Sequence, residues 1–126
     1  MPTKLALAAL LAGESARRAG DLSGALPLLL RALHLCQKLG QRGVFPELLQ
    51  EIAAASGRHA DAVRLLGAAE RLLGETGMPR WDPDDYEHTV TALRAKLGTR
   101  PFEEAWVEGV TMPEDEALAL AARCLD

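Results

Sequence analysis

Leucine and alanine return every three or four positions through most of this sequence, in blocks parted by glycine, proline and acidic residues. That spacing is the period of a helix with one buried stripe. One block carries Ala25, Leu28, Leu29, Ala32, Leu35 and Cys36; a later one carries Ala62, Leu65, Leu66, Ala69, Leu72 and Leu73. The blocks repeat each other. Gly20, Ala25, Leu28, Leu29, Ala32, Leu35 and Gly40 recur 37 residues on as Gly57, Ala62, Leu65, Leu66, Ala69, Leu72 and Gly77. A period of about 20–50 residues marks units that bury their apolar face only by stacking on a neighbour.

The pattern and its end signals predict about seven helices. The first runs over 3–19 with Thr3 as N-cap and a stripe of small residues, Ala9, Ala12, Gly13 and Ala16. The second, 22–39, follows Asp21 or Ser23 as cap and tolerates Pro27 near its first turn with a small irregularity. Gly40–Gly43 forms the next turn. The third spans 46–56 and the fourth 59–76, ended by Gly77 and Pro79. Asp82 caps the fifth with Pro83 at N1, Asp85 reaching back, and Trp81 and Tyr86 spaced as a hydrophobic staple. Its buried face is Tyr86, Val90, Leu93 and Leu97, and Gly98 ends it. A sixth covers 100–108. Thr111 and Glu114 form a capping box for a seventh that ends near Cys124.

Composition sharpens the class. The chain is 48% hydrophobic with two Trp, one Tyr and two Phe in 126 residues, so helix-forming Ala and Leu dominate over strand formers. The length fits one domain, 1–126. The net charge of −4, with both signs scattered, provides no basic field for nucleic acid. Cys36 and Cys124 lack metal-ligand spacing and read as reduced, buried thiols of a cytoplasmic protein. The apolar run from Leu5 to Ala12 is too short to span a bilayer. Lys4 before that run suggests a secretory leader, but Glu14, Arg17 and Arg18 continue the helix without a cleavage site.

The two hairpins resemble tetratricopeptide repeats, helical pairs of about 34 residues. Repeat one covers about 6–39, repeat two about 43–77, and a divergent cap about 82–125. Gly13, Ala25 and Ala32 fall where that family keeps small side chains; their counterparts are Gln50, Ala62 and Ala69, of which Gln50 departs. The segments Leu65-Leu66-Gly67-Ala68-Ala69-Glu70-Arg71-Leu72, Leu93-Arg94-Ala95-Lys96-Leu97-Gly98 and Phe102-Glu103-Glu104-Ala105-Trp106-Val107-Glu108-Gly109 extend the likeness. They are similar to the C-terminal helical region of large bacterial ATP-binding regulators of the LuxR and related signal-transduction ATPase type. The resemblance implies an all-α, tetratricopeptide-like stack of antiparallel hairpins with a C-terminal cap, acting as a sensor or scaffold arm in transcriptional control. It also implies a concave groove lined by Leu10, Glu14 and Arg17 in repeat one and by Glu47 and Glu51 in repeat two. No phosphate loop and no basic reading helix occurs. On this reading the chain is a fragment or a stand-alone relative of such regulators.

Candidate chemistry is sparse. Asp82, Asp84, Asp85 and Glu87 lack the glycine and distant Glu of a calcium loop and suit a helix N-terminus. His34, His59 and His88 show no paired spacing, though Asp84 and His88 are placed for a helix-surface pair. Arg58, Arg64 and Arg71 form a basic line broken by Asp61, Glu70 and Glu75, a solvated face with local ion pairs. Phe102 and Trp106 suit a core against Val90, Leu93 and Leu97. The sequence therefore predicts a non-catalytic protein-interaction module with no metal, cofactor, membrane or direct nucleic-acid contact. Its partner is a protein or peptide. Leu5, Leu7, Leu11, Leu26, Leu30 and Leu33 predict an apolar N-terminal edge that meets another chain, a second copy, or an upstream repeat. The alternative is a small-ligand sensor with a pocket between the stack and a Trp81/Trp106 cap.

Overall fold

A computed structural model describes residues 2–40 and 43–126. Among them the chain is all-α, with α1 (Pro2–Arg18), α2 (Leu22–Leu39), α3 (Phe45–Ala55), α4 (His59–Thr76), α5 (Pro83–Leu97), α6 (Thr99–Val110) and α7 (Glu114–Cys124). The expected Gly40–Gly43 turn includes Gln41 and Arg42, which lie outside the described residues.

The strongest end signals act as expected. Asp21 caps α2, its Oδ1 accepting the Gly24 N–H at 2.9 Å. Asp82 caps α5 by accepting the Asp85 N–H at 3.1 Å. Gly40 (φ 66°) and Gly77 (φ 69°) close α2 and α4 in the left-handed region, each N–H returning to a carbonyl of the last turn. The repeated glycine thus does the same work in both copies. Gly20 and Gly57 do not match: Gly20 has φ 85°, whereas Gly57 is not among the glycines with positive φ.

Weaker signals give way to local competition. Thr3, expected before the first turn, lies within the bounds of α1. Pro27 sits within an uninterrupted α2. The Thr111 hydroxyl, expected to cap α7, turns back to donate to the carbonyls of Val107 and Glu108 at 3.1 and 3.3 Å. Pro113 stands at the cap position of α7.

Tertiary packing builds outward from α4. α1 packs on α2 and α3 on α4, and α2 meets α3 between the two hairpins. Ala25 and Ala62, equivalent in the repeat, are both fully buried on the second helix of their hairpins. Gly13 lets α2 come close: a Cβ there would stand 2.7 Å from the Leu29 side chain. The chief partner of α4 beyond α3 is α6, with α7 packed on α4 and α3. A Cβ on Gly67 would stand 2.5 Å from the Trp106 carbonyl oxygen, and one on Gly109 would overlap the Arg64 carbonyl oxygen. The two backbones are therefore in direct contact.

The arginine line tightens this joint. Arg71 donates to the Val110 carbonyl at 3.1 Å, satisfying the end of α6, and Arg64 bridges Asp61 at 2.7 Å and Glu108 at 3.4 Å. The expected local ion pairs form, Arg64 with Asp61 and Arg71 with Glu75 at 3.9 Å, but both arginines also reach across to α6 and clamp it. Phe102 is buried and stacks with half-buried Trp106 at 6.1 Å between centroids, with the Arg94 guanidinium 4.2 Å from the Phe102 centroid.

α5 is the least embedded element. Leu93 is its sole fully buried residue among those described; Tyr86, Val90 and Leu97 of the expected face are half-buried. At the N-terminal edge Leu5, Leu11 and Leu22 are 54, 45 and 47% exposed, while Leu7, Leu26 and Leu30 are half-buried. Leu33 departs from that expectation: it is fully buried in the core.

The α4–α6 contact makes a direct prediction. Gly109→Ala forces backbones apart and is expected to destabilise by about 1–3 kcal/mol or more. Gly74→Ala on α4, where a Cβ meets open space, is expected to stabilise by about 0.5–1 kcal/mol. Urea-unfolding midpoints of the two variants check both signs.

Candidate functional site

The face shared by α1 and α3 gathers most of the polar residues assigned to a groove. Arg17 comes from the last turn of α1 and Glu51 from the middle of α3. Arg17 grips Glu51 with two nitrogens: Nη2 donates to Oε1 at 3.0 Å, and Nε donates to Oε2. The same Nη2 donates to Asp85 Oδ2 at 2.6 Å. Glu51 is 5% exposed, the one buried charged residue among those described. Burial alone lowers the Arg17 pKa, but the hydrogen bonds and charges of Glu51 and Asp85 outweigh it and raise the value.

Arg18 continues the network outward. Its Nη2 lies 2.5 Å from Asp82 Oδ2, 3.4 Å from Glu14 Oε1 and 3.6 Å from Asp85 Oδ2. The Arg18 hydrogen bond holds the Asp82 carboxyl below its usual value, helped by the Asp85 backbone N–H. Glu47 accepts the Trp81 N–H at 3.1 Å. Burial pushes the Glu47 carboxyl up, and burial together with Glu51 does the same to Glu14.

The occupant of this groove is thus the chain's own segment from Trp81 to Tyr86. Glu14, Arg17, Glu47 and Glu51 all face it, and a remaining cavity of about 20 Å³ holds about one water. Leu10 does not belong to the surface. It is 1% exposed and part of the core, because the α1 face that carries it turns inward against the hairpin. Asp85 pairs with Arg17 and Arg18 instead of reaching back to its own helix start. The expected staple is also altered: Trp81 is 45% exposed, and the group covering the Tyr86 ring is the Arg80 guanidinium, 3.6 Å from its centroid. Arg80 also pairs with Glu70.

The remaining candidates sort by geometry. Of the acidic cluster, Asp82 and Asp85 are taken up by capping and by Arg17 and Arg18, while Asp84 and Glu87 are exposed. Among the described residues no group of three or more His, Cys, Asp or Glu is placed to hold a metal ion. Asp84 and His88 form no ion pair among the described residues. Cys36 and Cys124 are free and buried, and burial pushes the Cys36 thiol up to about 11. Trp81 and Trp106 line separate depressions, so they do not share the single ligand pocket considered from the sequence. No helix among the described residues is long and apolar enough to cross a membrane.

Sequence reasoning did not find Asp82 and Asp85 as the groove's occupants. The usable signal was their excess over what capping needs: one aspartate caps α5, leaving the other free for the arginines that end α1.

No family model matches the chain, and no solved structure matches it. The chain is 45% identical over 80 residues to proteins of Mycobacterium tuberculosis and Mycobacterium bovis that carry the name HTH-type transcriptional regulator. The match covers 61% of this chain and 9% of each of those proteins, so it spans about a tenth of the length of these curated relatives.

Two predictions come from the network. Arg17→Ala leaves Glu51 buried without its partner and is expected to cost about 3–5 kcal/mol. Arg18→Ala removes exposed pairs and is expected to cost about 0–1 kcal/mol, both read from chemical unfolding. Burial raises the Glu14 carboxyl above its ordinary value of 4.5 in the folded chain, so its ionised form opposes folding above that raised pKa. Glu14→Gln is therefore expected to raise Tm at neutral pH. The gain should vanish as pH falls below the unfolded value, where both states carry a protonated Glu14.

Proposed function

We propose that this chain is a non-catalytic helical scaffold segment of the kind found in large bacterial transcriptional regulators, related to tetratricopeptide repeats. The carrying observation is the 45% identity over 80 residues to proteins named as HTH-type transcriptional regulators. The all-helical build and the 37-residue repeat support the scaffold half of the reading.

The proposal assigns regulation to contacts between helices and not to DNA binding by this segment. Net charge is −4, and the two arginines ending α1 are committed to Glu51, Asp82 and Asp85. The groove that a repeat protein offers to an extended partner is filled here by residues 81–86. In this proposal the free surface for assembly is instead the apolar edge at Leu5, Leu11 and Leu22, which suits further helices of a longer regulator or a second copy.

The test uses both the chain and a longer relative. The isolated chain is expected not to retard duplex DNA at low salt. Deleting the matched segment from a mycobacterial relative is expected to abolish its response in a reporter assay while DNA binding by the rest persists. DNA binding by the isolated chain, or a deletion without effect on the reporter, overturns the proposal.

A further inference from the structure

The fold brings together two histidines that the sequence keeps 29 positions apart. His59, the first residue of α4, and His88, on α5, line one cleft of about 200 Å³ together with Lys96 and Arg17. The floor is apolar, formed by residues such as Ala54 and Leu93. No carboxylate lines it.

The charges in this cleft are unevenly committed. Arg17 is satisfied by Glu51 and Asp85. His88 and Lys96 form no ion pair among the described residues, and both are exposed. The Nδ1 atom of His59 is buried without a hydrogen-bond partner. A buried ring nitrogen without a partner is an unmet hydrogen-bonding group beside this cleft. The start of α4 adds to this, because its N-terminus carries no side-chain cap.

A general base would need an orienting carboxylate, and a metal would need a third ligand. Neither borders the cleft. An anion fits its chemistry. Basic side chains line it from two elements, His59 on α4 and His88 and Lys96 on α5, and three separate donors suit a group with three terminal oxygens better than a two-oxygen carboxylate. The apolar floor leaves room for a small organic body.

We propose that the cleft framed by His59, His88 and Lys96 binds the phosphate group of a small phosphorylated molecule. Such a ligand links the start of α4 to α5, the helix with least core of its own, and stabilises that attachment by mass action. The site is independent of the scaffold reading and of the Arg18–Asp82 pair.

The polar residues lining the cleft are His59 from α4, His88, Lys96 and Thr89 from α5, Arg17 from α1 and Ser56 at the end of α3; the Thr89 hydroxyl donates to the Asp85 carbonyl at 3.1 Å. Inorganic phosphate is the probe, titrated into the full chain at constant ionic strength and followed by the imidazole NMR signals. Saturable shifts of His59 and His88, with His34 unmoved, are expected. Lys96→Ala and His88→Gln change exposed side chains, keep the fold by the unchanged His34 signal, and are expected to weaken binding at least about tenfold. Non-saturating shifts shared by all three histidines overturn the site. Unchanged affinity in both variants does so as well. Acetate binding as tightly as phosphate overturns the phosphate assignment.

Discussion

Backbone contact between α4 and α6 at Gly67 and Gly109 decides where the rest of the chain can go. Without a Cβ on either side, α6 takes the broad face of α4 that the next helix in sequence would otherwise cover. α7 then packs on α4 and α3, so α4 is buried on several sides: eight of its residues, from Ala62 to Leu72, are buried. The arginines on its remaining face reach over the joint, and Arg71 satisfies the Val110 carbonyl at the end of α6. A helix interior normally loses stability to glycine. Here each glycine returns more than it costs, because close helix approach extends dispersion contact along both backbones.

That arrangement leaves α5 beside the stack and not within it. With Leu93 as its one fully buried residue, its position depends on polar links. Arg17 and Arg18 take Asp85 and Asp82 at its N-terminal turn, and Glu47 takes the Trp81 N–H just before it. The inner pair, Arg17 and Glu51, is poor evidence for net stability, since desolvating both charges costs about what their attraction returns. Its geometry is what matters. A bidentate fork accepts one orientation of its carboxylate and so fixes the angle at which α1 meets α3, and through Asp85 the place where α5 begins.

The difference between what the sequence revealed and what it hid follows from the range of each signal. The limits of α2 and α4 were readable to the residue, because Asp21, Gly40 and Gly77 act within one turn of themselves. Ala25 and Ala62 were readable as core because periodicity reports a buried face. Periodicity does not say which neighbour covers that face. Hence Leu33 was expected at an open edge and is buried, Leu10 was expected in a groove and lies in the core, and Arg64 and Arg71 were expected in solvent and clamp α6. The candidate groove was half readable. Its walls, Glu14, Arg17, Glu47 and Glu51, follow from repeat register, but its occupant comes from more than 60 residues away along the chain in the case of Arg17 and Asp85. No local pattern encodes that pairing.

Two sets of charges therefore act on one weakly anchored helix. At its N-terminal turn, acidic side chains of α5 meet the arginines that end α1. Farther along, its His88 and Lys96 face the start of α4 across the cleft that also contains His59. The first set is satisfied by ion pairs, whereas His88 and Lys96 make none among the described residues. A helix held by apolar burial would change little when a ligand arrived, because the core already fixes it. A helix held by charge at one end, with His88 and Lys96 making no ion pair among the described residues, has less to lose by moving and more to gain from an anion. If the segment serves as a scaffold in a longer regulator, α5 is where a small binding free energy alters the surface presented to neighbouring helices, since differential affinity for its attached position is all that such coupling requires.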